Sequence, residues 1–332
     1  MHLPHLFPLL LLATTVCSEI QSREDLYARL VGFDGCNYHD KEQAIKAAWQ
    51  QSWDVMDVIR DLDIDWNEAA ALEFLGPPGY NKPFQDAIQQ IVNNLGMMNG
   101  TWVELLPDWA INVRCDDWAH RCSAMPIAYT DSRGPTGLAT INFCNFFFYQ
   151  PDLSNQVSRG ENEKDHRWKY DVENYEGTKG ETLRYPEGYN CHQMLTNLAV
   201  TFLHELLQID WVYRGGRYGR NRAVVDFDIE LWDETYRKKS VVSVNGSRNA
   251  KILARWFGSA TDPNTGDIIA RSAESLALYS LAKYLTAHFG AYPHHPLVKT
   301  NPTSKPPIPL GELPQPLIQI VANNKQVFLD ST

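Results

Sequence analysis

The stretch from Cys191 to Ile209 constrains this chain most, because it reads as a helix that is apolar nearly all the way round. Leu195, Leu198, Ala199, Phe202, Leu206 and Ile209 recur at helical spacing, and Leu203 and Leu207 widen the stripe. Such a helix has no face to give to water and belongs at the centre of a fold, with other elements around it. Yet it carries His204, Glu205 and Gln208. Buried without partners, each such polar group costs roughly 2–7 kcal/mol. Residues elsewhere in the chain must therefore meet them, and the helix marks the place to look for a site.

The pentad His204-Glu205-Leu206-Leu207-Gln208 is one residue short of a zinc-protease helix. In H-E-x-x-H the two histidines lie four apart on one helical face and bind Zn²⁺, while the glutamate serves as general base toward the metal-bound water. Here His204 and Glu205 keep their positions, and Gln208 stands where the second ligand belongs. Glutamine offers a neutral amide oxygen, whereas Zn²⁺ prefers imidazole nitrogen or thiolate. Loss of even an outer partner weakens metal sites about 10–100-fold, so weak zinc binding and weak or lost hydrolysis are expected.

Net charge of −10 and the lack of a long basic run argue against nucleic acid as a partner. No internal stretch is apolar and long enough to cross a bilayer. The run Leu6 to Ala13, followed by Val16 and Ser18 at the −3 and −1 positions, reads as a secretory signal over residues 1–18. Export would leave Cys36, Cys115, Cys122, Cys144 and Cys191, an odd number that allows two bridges in 15 ways. Cys115/Cys122 is the cheapest pair to close, and Cys144/Cys191 would staple a polar loop. The sequons at Asn99 and Asn245 fit a secreted glycoprotein.

Along the chain, residues 19–109 read as a helical part. Helices are expected over Lys41 to Leu62, Trp66 to Phe74 and Pro83 to Met98, with Gly76-Pro77-Pro78-Gly79 as punctuation. Short strands follow at Ala110 to Cys115, Met125 to Thr130 and Leu138 to Phe143. Residues 151–190 turn polar and read as a long surface loop. After the central helix, Gly246 to Phe257 and Arg271 to His288 are helical, and residues 291–332 form a proline-rich extension. Pro293-His294-His295-Pro296, His39, His120 and His166 are read as polar loop residues.

Four stretches resemble the aspzincin group of secreted fungal proteins, the deuterolysin and lysine-specific metallo-endopeptidase-like family. They are Ile141-Asn142-Phe143-Cys144 with Phe147-Phe148, Thr201 to Leu207, Ala250 to Trp256, and Arg271 to Tyr279. Together they span most of residues 36 to 290. The resemblance implies an α+β zincin-like fold, with a small sheet, a central active helix and residues 110–290 as the catalytic part. It also implies a zinc site in which His204 is a ligand, Glu205 the base and a downstream aspartate a further ligand. Asp226 is the first choice, with Asp228 a near rival, Asp233 a weaker one, and His192 or Asp210 as outside alternatives. Glu274 stands in for a family aspartate. It is read as a substrate contact, or as an acid that caps a helix or bonds within the core. The Tyr-Gly pair expected after the aspartate is displaced, and Asn245-Gly246 takes its place.

Two functions follow from this resemblance. One is a secreted, extracellular zinc metalloendopeptidase that hydrolyses peptide bonds, its activity reduced by Gln208. The other is a catalytically inactive relative that binds a peptide or protein. Either would act as a monomer away from membranes and nucleic acid.

Overall fold

The computed structural model describes residues 29–98, 110–124, 126–162, 197–214, 223–233, 238–254, 265–289 and 318–322. In chain order these form β1 (Arg29–Asp34), α1 (Lys41–Ile59), α2 (Ala69–Phe74), α3 (Pro78–Asn81) and α4 (Gln85–Met97). There follow β2 (Ala110–Arg114), β3 (Ala128–Asp131), β4 (Ala139–Phe143), α5 (Leu153–Asn162), α6 (Leu198–Leu207) and α7 (Asp210–Arg214). The remainder is β5 (Phe227–Asp233), β6 (Lys238–Ser243), α8 (Ser247–Ala254), α9 (Thr265–Ile269), α10 (Ala273–Phe289) and β7 (Ile318–Ala322). The architecture is mixed, α+β, with helices around a small sheet.

That sheet runs β1-β2-β4-β3. The first three strands are parallel and β3 closes the edge antiparallel to β4. Ile111, Val113, Ile141 and Phe143 are buried toward the helices, as alternation along a strand requires. Asn112, Thr140 and Asn142 are buried too. Each has partners: Asn112 Nδ2 donates to Thr140 Oγ1 (3.2 Å), and Asn142 Oδ1 accepts from the Asp117 backbone N–H (3.0 Å). β1 lies within residues 19–109, read from the sequence as a helical part, and ahead of the first helix expected there. It pairs parallel with β2, Leu30 opposite Ile111, and a bulge follows at Gly32. Gly32 has φ 90°, and a Cβ there would sit 2.2 Å from Asn112 Oδ1, so glycine is required on both counts.

α6 is the centre, as its composition demands. All ten of its residues are buried, and it packs against α1, α10 and β3. Asn197 caps it, accepting the Val200 backbone N–H at 2.9 Å. Phe202 is wedged between Trp49 of α1 and Phe143 of β4, with ring centroids 5.1 and 5.3 Å away. One hydrophobic cluster runs from Ile45 in α1 through α6 to Leu285 in α10. The stretch 191–196, expected to begin this helix, lies outside the described residues.

Two expectations change. The polar run 151–190 holds a helix at its start, α5, whose Leu153 and Val157 are buried; the rest of that run lies outside the described residues. The expected bridges Cys115/Cys122 and Cys144/Cys191 give way to Cys36–Cys115 and Cys122–Cys144. Cys115 follows β2 and Cys36 follows β1, so the parallel pairing of those strands brings the two cysteines together. Likewise β3–β4 pairing brings Cys122 to Cys144. Cys191, Asn99, the signal region 1–18 and the prolines of the extension lie outside the described residues. Within that extension, Ile318–Ala322 forms β7, which joins β5 and β6 in a second, antiparallel sheet of order β6-β5-β7. No helix among the described residues is long and apolar enough to cross a membrane.

Candidate functional site

The polar residues of α6 meet partners from three directions. Behind the helix, the chain entering β5 touches the start of α10. Val225 forms a parallel bridge to Ser272, its N–H donating to Arg271 O (2.8 Å). That bridge delivers Asp226 and Glu274, each just beyond it, to opposite sides of one imidazole. His204 Nδ1 lies 2.8 Å from Glu274 Oε2, and Nε2 lies 2.7 Å from Asp226 Oδ1. Glu274 is buried and its other oxygen accepts the Gly246 backbone N–H (2.7 Å), so both oxygens are engaged. The imidazole is thus held between two carboxylates, one at each ring nitrogen.

From β3, Thr130 Oγ1 reaches both Glu205 Oε2 (2.7 Å) and the Glu205 carbonyl (3.0 Å). Gln208 is the residue that ends α6, with its backbone N–H donating back to Glu205 O. Its side chain still falls on the His204 face, as a spacing of four requires. Gln208 Nε2 donates to Asp226 Oδ1 (3.0 Å) and lies 3.0 Å from His204 Nε2. His204, Asp226 and Gln208 thus present a triangle of polar atoms, half open to solvent through Asp226.

Electrostatics follow from this crowding. Burial alone would lower the His204 pKa, but the Asp226 charge and the hydrogen bonds to Asp226 and Glu274 outweigh it and raise the imidazole well above 6.5. Burial pushes Glu205 up to about 7, helped by the Asp226 and Glu274 charges and opposed by His204 and Thr130. Burial also works to raise Asp226, but the His204 charge and the bonds from His204 and Gln208 hold it below its ordinary 3.8. A base near neutrality beside an ionised carboxylate is a pairing suited to proton transfer at pH 7.

Of the other sequence candidates, Asp228 lies two residues further on, in β5, and Asp233 ends that strand. Asp210 opens α7 and accepts the Tyr213 hydroxyl (2.6 Å). Asn245 is exposed, whereas His192, His166, His294 and His295 lie outside the described residues. Glu274, read as a substrate contact or a core acid, sits behind the imidazole. Local pattern gave no notice of Thr130 or the Gly246 N–H, since both arrive by tertiary packing.

No family model matches the chain, and no curated protein matches its sequence. Among the described residues no group of three or more His, Cys, Asp and Glu side chains is placed to hold a metal ion. The third corner of the triangle is an amide, so the donor set consists of one imidazole, one carboxylate and Gln208. Proton bookkeeping is strained in this set. If Nε2 carries a proton, it satisfies Asp226 but faces the amide N–H; without a proton, it accepts from Gln208 but faces the carboxylate lone pairs. A cation among the three, with the amide turned to present Oε1, relieves both conflicts. As the side chains stand, Gln208 presents its amide N–H and His204 Nε2 faces Asp226, so a divalent ion would be held here only with the amide turned, and weakly.

Proposed function

We propose that this is a secreted relative of the aspzincin metalloendopeptidases, zincin-like in fold, with a weakened cation site and correspondingly weak peptide hydrolysis. The observation that supports the reading best is the His204 imidazole, gripped at Nδ1 by buried Glu274 and presenting Nε2 to Asp226 and Gln208. His204, Asp226 and the Gln208 amide oxygen would hold the ion, zinc by family resemblance. When bound, such an ion lowers the pKa of a coordinated water toward neutrality. Glu205 is the group that would take a proton, its carboxyl oriented by Thr130 and its pKa near 7. The substrate would be a peptide or unfolded protein, and the chain would act as a monomer outside the cell.

Calorimetric titration with Zn²⁺ and hydrolysis of an unfolded protein test this together. Native protein should bind zinc at micromolar strength or weaker, and His204→Ala should lose binding. Gln208→His should raise zinc affinity by about 10–100-fold and raise hydrolysis with it, and Glu205→Ala in that background should remove the gain. If Gln208→His alters neither while the fold is intact, the reading is wrong.

A second reading, a silent peptide- or protein-binding relative, draws on the closure of the triangle. Gln208 donates to Asp226 at 3.0 Å, so the Asp226 carboxylate has partners without an ion. Tight zinc in the Gln208→His protein with no hydrolysis would favour it.

A further inference from the structure

We propose that Asn245 carries an N-linked oligosaccharide and that this glycan screens the Asp226 side of the site, admitting small ligands and excluding bulky ones. The inference rests on the secreted reading above and on Asp226 belonging to the site, but on neither a bound ion nor peptide hydrolysis. Three observations carry it. The first is exposure: in Asn245-Gly246-Ser247 only Asn245 stands out to solvent, between buried Val244 and buried Gly246 and Ser247. The acceptor amide is displayed while the rest of the sequon is folded away.

The second is register. β5 and β6 pair antiparallel with Asp228 opposite Ser243, and the Val244 N–H donates to Phe227 O (2.8 Å). One step further along this register stand Asp226 and Asn245. Residues opposed in an antiparallel pair point to the same face, with Cβ atoms about 4.5–5.5 Å apart. Asp226 is the half-exposed corner of the His204 network, so a sugar on Asn245 begins beside it. Gly246, the next residue, is held through its N–H by Glu274 (2.7 Å), the other carboxylate on that imidazole. The attachment point is therefore tied to the site from two directions.

The third is timing. Ser247, whose hydroxyl a glycosyl transferase must read, is fully buried in the folded chain, and Glu274 follows Gly246 by 28 residues. The sequon thus emerges during synthesis ahead of the partner that fixes it, while it is still open to transfer. In that transfer the Asn245 amide nitrogen bonds to the anomeric carbon of a lipid-diphosphate oligosaccharide. The anomeric C–O bond breaks, the lipid diphosphate departs with the bonding pair, and the amide gives up one proton to the medium.

The test uses the full chain expressed in a glycosylating eukaryotic host. Peptide mapping after enzymatic glycan release should find Asn245 converted to aspartate. Secreted, disulfide-bonded protein with a bare Asn245 overturns this proposal alone; protein retained in the cell with free thiols overturns the secreted reading along with it. Screening is read by carbodiimide coupling of Asp226 to glycinamide or to an aminated polyethylene glycol, with exposed Asp40 and Asp61 as internal references. Glycinamide should couple to Asp226 with or without the glycan. The polymer should couple several-fold more after glycan release, and in Asn245→Gln, with Asp40 and Asp61 unchanged. Equal polymer coupling at Asp226 in all three forms, or an Asp226 that takes neither amine in any form, overturns the proposal. Polymer coupling restored without hydrolysis of any peptide or protein would count against the peptidase reading and leave this one standing.

Discussion

At the level of single residues, Glu205 and His204 act on stability in the same direction. The folded pKa of Glu205, about 7, lies above its ordinary 4.5, so between those values the native state holds a proton that the unfolded chain has lost. Stability therefore falls as pH rises through that window. His204 is raised as well: its contribution is full below 6.5 and is lost as pH climbs through its folded value. Asp226 works oppositely, since its lowered pKa gives stability present above 3.8 and lost on acidification. Glu205→Gln should remove roughly 3 kcal/mol of pH-dependent loss between pH 4.5 and 7. Denaturant unfolding at a series of pH values checks this, and an unaltered slope would refute it. The spacing of His204, Glu205 and Gln208 was legible in the sequence because one helix fixes it. That Asp226 and Glu274 share one imidazole was not, because the Val225–Ser272 bridge that unites them joins residues 47 apart.

Among the elements, α6 is held by aromatic rings on two sides, and Phe202 is the wedge between α1 and β4. Phe202→Ala should cost about 3–5 kcal/mol, as truncation of a buried phenylalanine does, read as a lower denaturant midpoint. Zinc affinity should fall with it, since α6 carries His204 and Gln208. Helices with a long apolar stripe, α1, α4, α6 and α10, were visible by period. α5 was not, because only Leu153 and Val157 are apolar and buried in a polar run. β1 escaped because Gly32 breaks its alternation and its burial is shallow. β7 escaped because its strand pairing lies almost a hundred residues from β5.

Across the whole molecule, the two disulfides join strand ends rather than sequence neighbours. Local pairing was expected because short loops close cheaply, yet each doubling of loop length adds only about 0.6 kcal/mol. Strand pairing easily outweighs that difference. Cys36–Cys115 encloses a separation of 79 residues, so replacing both cysteines by serine should lower stability by about 4–5 kcal/mol on the chain-entropy account. Peptide mapping of unreduced protein should find Cys36 with Cys115 and Cys122 with Cys144; any other pairing would refute the topology. The second sheet bears on the order of events at birth. β5 begins one residue after Asp226, and one of its neighbours, β7, begins only at Ile318. At roughly 5–20 residues per second, synthesis leaves an interval of about 5–20 seconds in which Asp226 exists and that flanking strand does not. During that interval one side of β5 offers an open edge to any other extended chain. A chaperone or a neighbouring nascent chain could then occupy the edge before β7 arrives.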